Sequence, residues 1–486
     1  MKYESRKLTE IGANALDNIY RAGHHNALLI TGTGGGKTFM SIHALGKLAD
    51  SINVLVFSIR SVIDNRQWEE SFDAYNQATN HHLEYAIFNY EKLDSKSYRN
   101  NILNSIRFSS KPVAIILDEA HKIANPTAKR SKFIFQLNLD PKVKTMMCLT
   151  ATSINNSLLD ACSYLILDYQ YKNKTDFYNQ HVKSYDKFYQ PIVKDRKGNR
   201  TLAVYNNPGK ILTLLKNITV NVDTESVIPP LKSYDLVFEM PKHIKREYNQ
   251  IQRDYKKGLI ENSQQRISMQ HDFLATHADQ RLNALAQLID SPDRVQTPIL
   301  IFYQYVSEYQ KLYDYLKVHY GEKYHIKAIN GSSKKIDIRK APPKNTLFLI
   351  QYQAGATGLN AQWSSISVFF TPPMSNINYE QAKGRNRRAY QKGTVYQFRF
   401  IVKNTINAFT WWDIVDNKLE FSNMIYNKYL DRKTEQNYQQ QIPTNQFIPT
   451  NSNYVEIAKA QSKNSTAKNS TAKRNKQIQQ SLFLHD

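Results

Sequence analysis

Short runs of consecutive hydrophobic residues recur along the first third of the chain. They are "NALLI", "INVLVFSI", "LEYAIF", "PVAIILDEA" and "KTMMCLTAT". Stretches of helix length separate them, and runs without polar alternation are typical of parallel strands that are covered on both faces. The pattern predicts that residues 1–168 form an α/β domain around a parallel sheet.

The same pattern returns in the second half of the chain. The runs there are "TPILIFYQYV", "YHIKAIN", "NTLFLIQYQ", "SISVFFTP" and "TVYQFRFIV". They predict a second parallel-sheet domain over residues 297–431. Between the two domains, residues 169–296 are rich in Tyr, Lys, Gln and Asn with helical spacing, which favours a helical insertion.

The hydrophobic pattern ends near residue 431. Residues 432–486 contain "QNYQQQIPTNQFIPTNSN" and the tandem "NSTAKNSTAK". Few apolar groups are present to offset the entropy of ordering, so this tail is expected to be disordered.

Charge narrows the class of partner. The 486 residues carry 65 Lys and Arg against 42 Asp and Glu, a formal net charge of +23, which favours a polyanion such as nucleic acid. No long apolar span or secretory signal is evident, so a cytoplasmic location and no membrane partner are expected. The two cysteines, Cys148 and Cys162, lie in apolar surroundings and are predicted to pack in a core.

A glycine-rich segment directly follows the first hydrophobic run. It reads Thr31-Gly32-Thr33-Gly34-Gly35-Gly36-Lys37-Thr38, with Thr31 where the common phosphate-loop pattern has its first glycine. A strand, a tight loop and a helix start bring backbone N–H groups to one point, which suits a triphosphate. Lys37 is expected to reach the outer phosphates and Thr38 to hold Mg²⁺, so ATP with Mg²⁺ is the predicted ligand.

Two adjacent carboxylates end the run "VAIILDEAHK". Asp118, at the end of a strand beside the phosphate loop, is expected to hold Mg²⁺ through water, and Glu119 to polarise the water that attacks the γ-phosphate. In the run "MCLTATSINN", Thr150 and Thr152 again follow a strand, where they would link these acids to the nucleic-acid face.

A basic run lies far downstream, in "NYEQAKGRNRRAYQKGTVYQFRFI". Arg385, Arg387 and Arg388 carry guanidinium groups, which suit the charge that develops on a transferring phosphoryl group. Supplied by the second domain, they would complete the site when the domains close. A solvated or phosphate-binding face is the alternative interpretation of such a run.

The order of these segments resembles motifs I, II, III and VI of superfamily-2 helicases of the DEAH-box type. "DEAHKIANPTAKRS", "LTATSINNSLLD", "AGATGLNAQ" and "YEQAKGRNRRAYQKGTVYQFRFI" are similar to words of the Swi/Snf branch of double-strand DNA translocases. The resemblance covers residues 26–415 and implies two RecA-like domains. It also implies that Asp118 and Glu119 are the metal-linked acid and the catalytic base. Gln381, Arg385 and Arg388 match the family's leading glutamine and two arginines.

The resemblance also implies sequence-independent contacts to a DNA backbone. They would come from three segments, represented by Ser58 and Arg60, by Tyr303 and Gln304, and by Gly355, Thr357 and Asn360.

The tail ends with a short apolar peptide. Gln479, Gln480, Ser481, Leu482 and Phe483 resemble the peptide by which bacterial replication and repair proteins bind the sliding clamp. An apolar anchor in an otherwise polar tail suits docking into a partner's pocket.

These observations together predict an ATP-dependent DNA helicase or translocase of phage or bacterial type, acting in replication, recombination or repair. Two alternatives stay open. One is an RNA helicase, and the other is a DNA-binding adaptor that recruits a partner and uses ATP as a switch.

Overall fold

The computed structural model describes residues 7–32, 34–48, 51–79, 81–151, 157–194, 201–223, 228–291, 296–331, 341–355, 360–388, 391 and 393–416. The predicted tail 432–486, with its candidate clamp-binding residues Gln479, Ser481, Leu482 and Phe483, lies outside these residues, as do Thr33, Thr152 and Thr357. The chain divides into two compact units between Ile228 and Pro229. The part before this boundary is called the first unit and the part after it the second unit.

The first unit is built on a six-stranded sheet with the order β3-β2-β4-β5-β1-β6, in which all pairs are parallel. Its strands are β1 (Asn26–Ile30), β2 (Asn53–Ser58), β3 (Glu84–Asn89), β4 (Val113–Leu117), β5 (Val143–Thr150) and β6 (Thr219–Asn221). Its helices are α1 (Lys7–Arg21), α2 (Lys37–Gly46), α3 (Arg60–Asp64), α4 (Gln67–Ala78), α5 (Lys96–Arg107), α6 (Lys129–Asn138), α7 (Ala161–Leu167), α8 (Lys174–His181) and α9 (Pro208–Asn217).

The second unit is built on another six-stranded parallel sheet, with the order β7-β12-β11-β8-β10-β9. Its strands are β7 (Leu231–Phe238), β8 (Ile299–Tyr303), β9 (His325–Ile329), β10 (Thr346–Gln351), β11 (Ile366–Phe369) and β12 (Val395–Val402). Its helices are α10 (Lys242–Lys256), α11 (Ser263–Thr276), α12 (Asp279–Asp290), α13 (Val306–Tyr320), α14 (Tyr352–Gly355), α15 (Asn376–Lys383) and α16 (Ile406–Phe409), followed by a π-helical segment (Thr410–Asp416).

The ten hydrophobic runs all form strands, and the predicted α/β class with two parallel sheets is confirmed. Every residue of β4 and of β8 is buried, as expected for central strands that have helices on both faces. Cys148 and Cys162 are buried free thiols in the core of the first unit, which confirms their predicted packing.

The unit boundary differs from the predicted domain boundaries at residues 168 and 296. Within segment 169–296, strand β6 pairs with β1 in the first sheet and strand β7 pairs with β12 in the second. Strand β6 has only three residues, and β7, an edge strand, exposes much of its length. Both therefore lack the continuous apolar run that marks the other strands.

A buried ion pair between Glu308 and Arg281 lies against the backbone that follows β8 in the second unit. The Glu308 carboxylate accepts hydrogen bonds from the backbone N–H groups of Gln304 (3.2 Å) and Tyr305 (3.0 Å) and from the Thr371 hydroxyl (2.9 Å). The Arg281 guanidinium lies 3.9 Å from this carboxylate, and both side chains are buried. Burial raises the pKa of Glu308 and lowers the pKa of Arg281 to about 10, so Arg281 stays protonated at neutral pH.

Within the described residues, no helix combines the length and the apolar character needed to cross a bilayer.

We expect Glu308→Ala to lower the free energy of unfolding by about 3–5 kcal/mol, because it leaves the Arg281 charge buried without its partner. Lys311→Ala is the matched control on the same helix, since it breaks an exposed ion pair with Asp279 that is worth about 0–1 kcal/mol. Urea unfolding of the full chain measures both. Equal losses for the two variants would contradict the assigned role of Glu308.

Candidate functional site

The glycine-rich segment forms a tight loop between β1 and α2. Gly34 and Gly36 have φ angles of +79° and +86°, a left-handed conformation that glycine adopts at low cost. The N–H of Gly35 donates to the carbonyl of Gly32, and the N–H of Met40 donates to the carbonyl of Gly36, which closes the first turn of α2. The positive end of the α2 dipole therefore faces the loop.

Lys37 folds back over this loop. Its ammonium group donates to the carbonyl of Thr31 at 3.0 Å and lies 3.4 Å from the carbonyl of Gly32. Thr31 itself is buried at the carboxyl end of β1, and its hydroxyl also donates to the Gly32 carbonyl. Thr38 follows in the first turn of α2. A cation and a helix start thus lie at one point, the arrangement that binds phosphate groups.

Asp118 follows the buried strand β4, and its carboxylate is held by three donors. Ser58 Oγ and Trp68 Nε1 donate to Oδ2 at 2.8 and 3.1 Å, and the backbone N–H of Glu119 donates to Oδ1 at 3.0 Å. These bonds fix the carboxylate at the carboxyl edge of the sheet. This is the edge where ligands bind in open α/β sheets.

Opposing effects set the pKa of Asp118. Burial, followed by the neighbouring charge of Glu119, raises the pKa of the carboxyl above its usual range. Hydrogen bonds from Trp68 and Ser58 and the positive charge of Lys37 act in the opposite direction. Lys37 and Asp118 follow β1 and β4 of the same parallel sheet, so both lie at its carboxyl edge.

Glu119 has an unusual backbone conformation for a residue with a side chain. Its φ angle is +48°, in the left-handed region, where such residues are strained by about 1–2 kcal/mol. Its Oε2 lies 3.3 Å from Nδ1 of His121. Backbone strain of this kind clusters at functional sites.

The sequence suggested that the strand that carries Asp118 lies directly beside the strand that leads to the phosphate loop. In the structure the two strands are not neighbours. Strand β5 lies between β4 and β1. With about 4.8 Å between neighbouring strands, the two are separated by roughly 10 Å. The carboxyl ends of the two strands therefore lie on the same edge of the sheet with one strand between them.

The donor set fits Mg²⁺ carried by a nucleotide. Thr38 and Asp118 supply oxygen atoms, which Mg²⁺ prefers, and it usually takes one or two carboxylates together with phosphates and water. Within the described ranges, no group of three or more His, Cys, Asp or Glu side chains forms a metal cage. The residues are therefore suited to an ion that arrives with a triphosphate.

Two residues expected to contact nucleic acid have other positions in the structure. Ser58 is buried, and its hydroxyl bonds to Asp118, so it positions the acid and does not face solvent. Tyr303 is buried in the core of the second unit, and its ring lies 5.7 Å from that of Tyr309. Burial raises the pKa of Tyr303 to about 12.

The other expected contacts are distributed over both units. Arg60 begins α3, is exposed and pairs with Asp64 at 3.5 Å. Gln304 follows β8, and its carbonyl accepts from the Gln351 side chain at 3.4 Å. Gly355 ends α14, and Asn360 is partly buried.

The arginine segment lies at the amino edge of the second sheet. The N–H of Ala361 donates to the carbonyl of Arg385, and Arg387 Nε donates to the carbonyl of Pro229, just before β7. Gln381, in α15, and Arg385 are both buried. The arginine segment is therefore hydrogen-bonded to Ala361, the residue after Asn360. Gln304 lies at the opposite, carboxyl edge of the same sheet.

Arg388 remains charged at neutral pH. It is partly buried, and burial lowers the pKa of its guanidinium to about 10. A partly desolvated guanidinium interacts more strongly with an anion than an exposed one does.

Sequence reasoning missed Trp68 as part of the site. Its place in the amphipathic segment "QWEESFDAY" predicts core packing, and Trp68 is indeed buried. The direction of the indole N–H toward Asp118 depends on how α4 packs, with its Phe72 ring stacked on Tyr85 of β3, and no sequence pattern encodes it.

We expect Ser58→Ala to raise the Mg²⁺ concentration required for nucleotide binding by about 10- to 100-fold, because residues that orient a metal ligand have effects of that size. Ser71→Ala is the matched control, since its hydroxyl donates to the Gln67 carbonyl within its own helix. A fluorescent ATP analogue titrated at several Mg²⁺ concentrations measures the effect. Unchanged Mg²⁺ dependence together with weaker DNA binding would restore Ser58 as a nucleic-acid contact.

Comparisons with known proteins agree with this geometry. A protein from Mycoplasma pneumoniae (strain ATCC 29342 / M129 / Subtype 1), named as an uncharacterized ATP-dependent helicase, is 26% identical over 389 residues. The match covers 74% of this chain and 33% of that protein, so the chain spans about a third of the relative's length.

A solved structure of similar fold is the ATP-dependent Type ISP restriction-modification enzyme LlaBIII bound to DNA. The match has a TM-score of 0.52 and 13% sequence identity, and it covers 85% of this chain and 29% of that chain. The two parallel sheets with their helices correspond to two RecA-like domains.

Two family profiles match the sequence itself. The helicase conserved C-terminal domain matches residues 280–390, and the SNF2-related domain matches residues 12–288, more than half of the chain. The chain therefore belongs to the SNF2-related family.

Proposed function

We propose that this protein is an ATP-hydrolysing motor that moves on duplex or branched DNA. The observation that carries the proposal is that Lys37 of the glycine loop and the partly buried acid Asp118, with its neighbour Glu119, lie at the same carboxyl edge of the first sheet. Membership of the SNF2-related family, with a helicase C-terminal domain on the same chain, supports it.

The first unit supplies the groups that bind and cleave the triphosphate. Lys37 and the N–H groups of the glycine loop would bind the outer phosphates, and Thr38 and Asp118 would hold Mg²⁺. When bound, Mg²⁺ would neutralise charge on the phosphate oxygens. Glu119 orients the attacking water and accepts its proton, and the strained backbone at Glu119 fixes the direction of that carboxylate.

The second unit supplies the arginines. We propose that Arg385 and Arg388 stabilise the charge of the transferring phosphoryl group. The carbonyl of Arg385 accepts from the N–H of Ala361, next to the proposed DNA contact Asn360. A shift of either segment is therefore passed to the other, which would couple hydrolysis to movement on DNA.

The proposed DNA contact is electrostatic and independent of sequence. The net charge of +23 and the exposed guanidinium of Arg60 support binding to a phosphate backbone. The similar solved structure, a restriction-modification enzyme bound to DNA, also favours DNA over RNA.

The helicase type, the biological source, the cellular location and the biological role are proposals that rest on the sequence alone. They are the DEAH-box type, a phage or bacterial source with a cytoplasmic location, and a role in replication, recombination or repair. Docking of the tail on a sliding clamp is proposed from the same kind of argument.

Steady-state ATP hydrolysis tests the proposal. We expect duplex or forked DNA to stimulate the wild type. Lys37→Ala should abolish turnover, Glu119→Gln should reduce it by about 10²- to 10⁴-fold, and Arg388→Ala by roughly 10³-fold or more. Arg246→Ala, on the exposed side of α10, is the control and should keep its basal rate.

The choice of nucleic acid separates the alternatives. Stimulation by RNA alone would assign the protein to RNA metabolism. Hydrolysis that no nucleic acid stimulates would favour an ATP-switched adaptor and would contradict the motor.

A further inference from the structure

A tight hairpin projects from the first unit between α8 and α9. The N–H of Ile192 donates to the carbonyl of Ser184, and Tyr185 bridges to Pro191 in antiparallel fashion. At its end, the N–H of Asp186 donates to the carbonyl of Gln190, and the N–H of Tyr189 donates to the carbonyl of Asp186. Residues 186–190 are called the hairpin tip.

The hairpin has a firm base. Val182 and Tyr205 form an antiparallel bridge, and the N–H of Asn206 donates to the carbonyl of His181. His181 is buried, with its ring nitrogens hydrogen-bonded to the Tyr171 hydroxyl at 2.6 Å and to the Asn206 carbonyl at 3.0 Å. The tip is thus carried on a packed part of the first unit.

Two aromatic rings at the tip face solvent. Phe188 is 67% exposed and Tyr189 is 86% exposed, and Tyr185 and Ile192 add exposed apolar surface just below them. Single exposed apolar residues are common, but a contiguous group of this kind marks a binding surface.

The backbone of the hairpin tip is strained at Tyr189. Tyr189 has a φ angle of +56°, a conformation that glycine or asparagine would adopt with less strain. The Asp186 carboxylate stabilises the turn by accepting from the N–H groups of Phe188 (2.8 Å) and Gln190 (2.9 Å). A strained aromatic residue at the apex of a structured turn suggests selection for function.

The charges around the tip favour an anionic partner. The Lys187 ammonium lies 5.0 Å from the centre of the Phe188 ring, and Lys183 precedes the hairpin. The one acidic residue of the tip, Asp186, already accepts two backbone hydrogen bonds. Aromatic faces beside lysines are the combination that binds nucleic acid by stacking on its bases and neutralising its phosphates.

We propose that the hairpin tip stacks Phe188 and Tyr189 on unpaired bases at a junction between double- and single-stranded nucleic acid. The faces of bases inside a duplex are already covered by their neighbours, so exposed rings find partners only where pairing ends. This inference rests on the proposed function, since it places the tip at the strand junction of a nucleic-acid motor.

The test uses forked DNA with 2-aminopurine at the first unpaired position, because stacking on an aromatic ring quenches its fluorescence. We expect the wild type to quench the signal. Phe188→Ala combined with Tyr189→Asn should abolish quenching and weaken binding of the fork by about 10- to 100-fold. Asparagine tolerates the left-handed backbone, so the turn is retained, and thermal unfolding checks this.

Two controls separate stacking from general binding. Phe108→Ala removes another exposed aromatic ring of the first unit, 76% exposed with the Arg107 guanidinium 5.7 Å from its centre, and should change nothing. Relaxed closed circular duplex offers no unpaired bases, so the double variant should bind it as the wild type does. Phe188→Tyr should retain quenching.

Failure of this inference is distinguishable from failure of the proposed function. If the double variant quenches and binds the fork like the wild type, or if the wild type does not quench, the tip does not stack on bases. DNA-stimulated ATP hydrolysis, measured on the same samples, reports on the motor separately.

Discussion

A partly buried carboxylate at the end of a parallel strand is the constraint on which the proposed site depends. Such a group is costly to bury unless donors surround it. Asp118 has three of them, from Ser58, Trp68 and the backbone of Glu119. These donors come from β2, α4 and the turn after β4, so the position of the acid depends on how these three segments pack together. Lys37 begins the helix that follows β1 of the same sheet, so the glycine loop lies at the same carboxyl edge.

The second unit also holds a hydrogen-bonded carboxylate at the carboxyl edge of its sheet. Glu308, paired with the buried Arg281, bonds to the backbone that follows β8 and to Thr371, which lies just after β11. A buried pair of this kind contributes modestly to stability, but removal of either partner is costly. It fixes the carboxyl edge of the second sheet, while the arginine segment is held at the opposite edge by Pro229 and Ala361.

The elements that sequence predicted well are those whose signal is local. Buried strands such as β4 and β8 appear as continuous apolar runs, and the glycine loop is marked by residues that must adopt positive φ angles. Strands β6 and β7 lack such runs, because one is short and the other lies at an edge, so their pairing was missed.

For the candidate site, residue types predicted the acids, the lysine and the arginines, but not the partners that hold them. The Ser58 hydroxyl and the Trp68 indole approach Asp118 through packing between elements that are distant in sequence. Tyr303 shows the reverse case, since the family resemblance implied a nucleic-acid contact there and its ring packs in the core. Side-chain direction at the end of a strand is set by tertiary packing and not by local sequence.

The central claim is that ATP hydrolysis at the first sheet drives movement along DNA, and displacement of a third strand from a triplex tests it most directly. A labelled oligonucleotide bound in the major groove of a linear duplex is released when a motor passes beneath it. The account predicts release that requires ATP and that Glu119→Gln abolishes without loss of DNA binding. Stimulated hydrolysis by the wild type with no release of the third strand would contradict it.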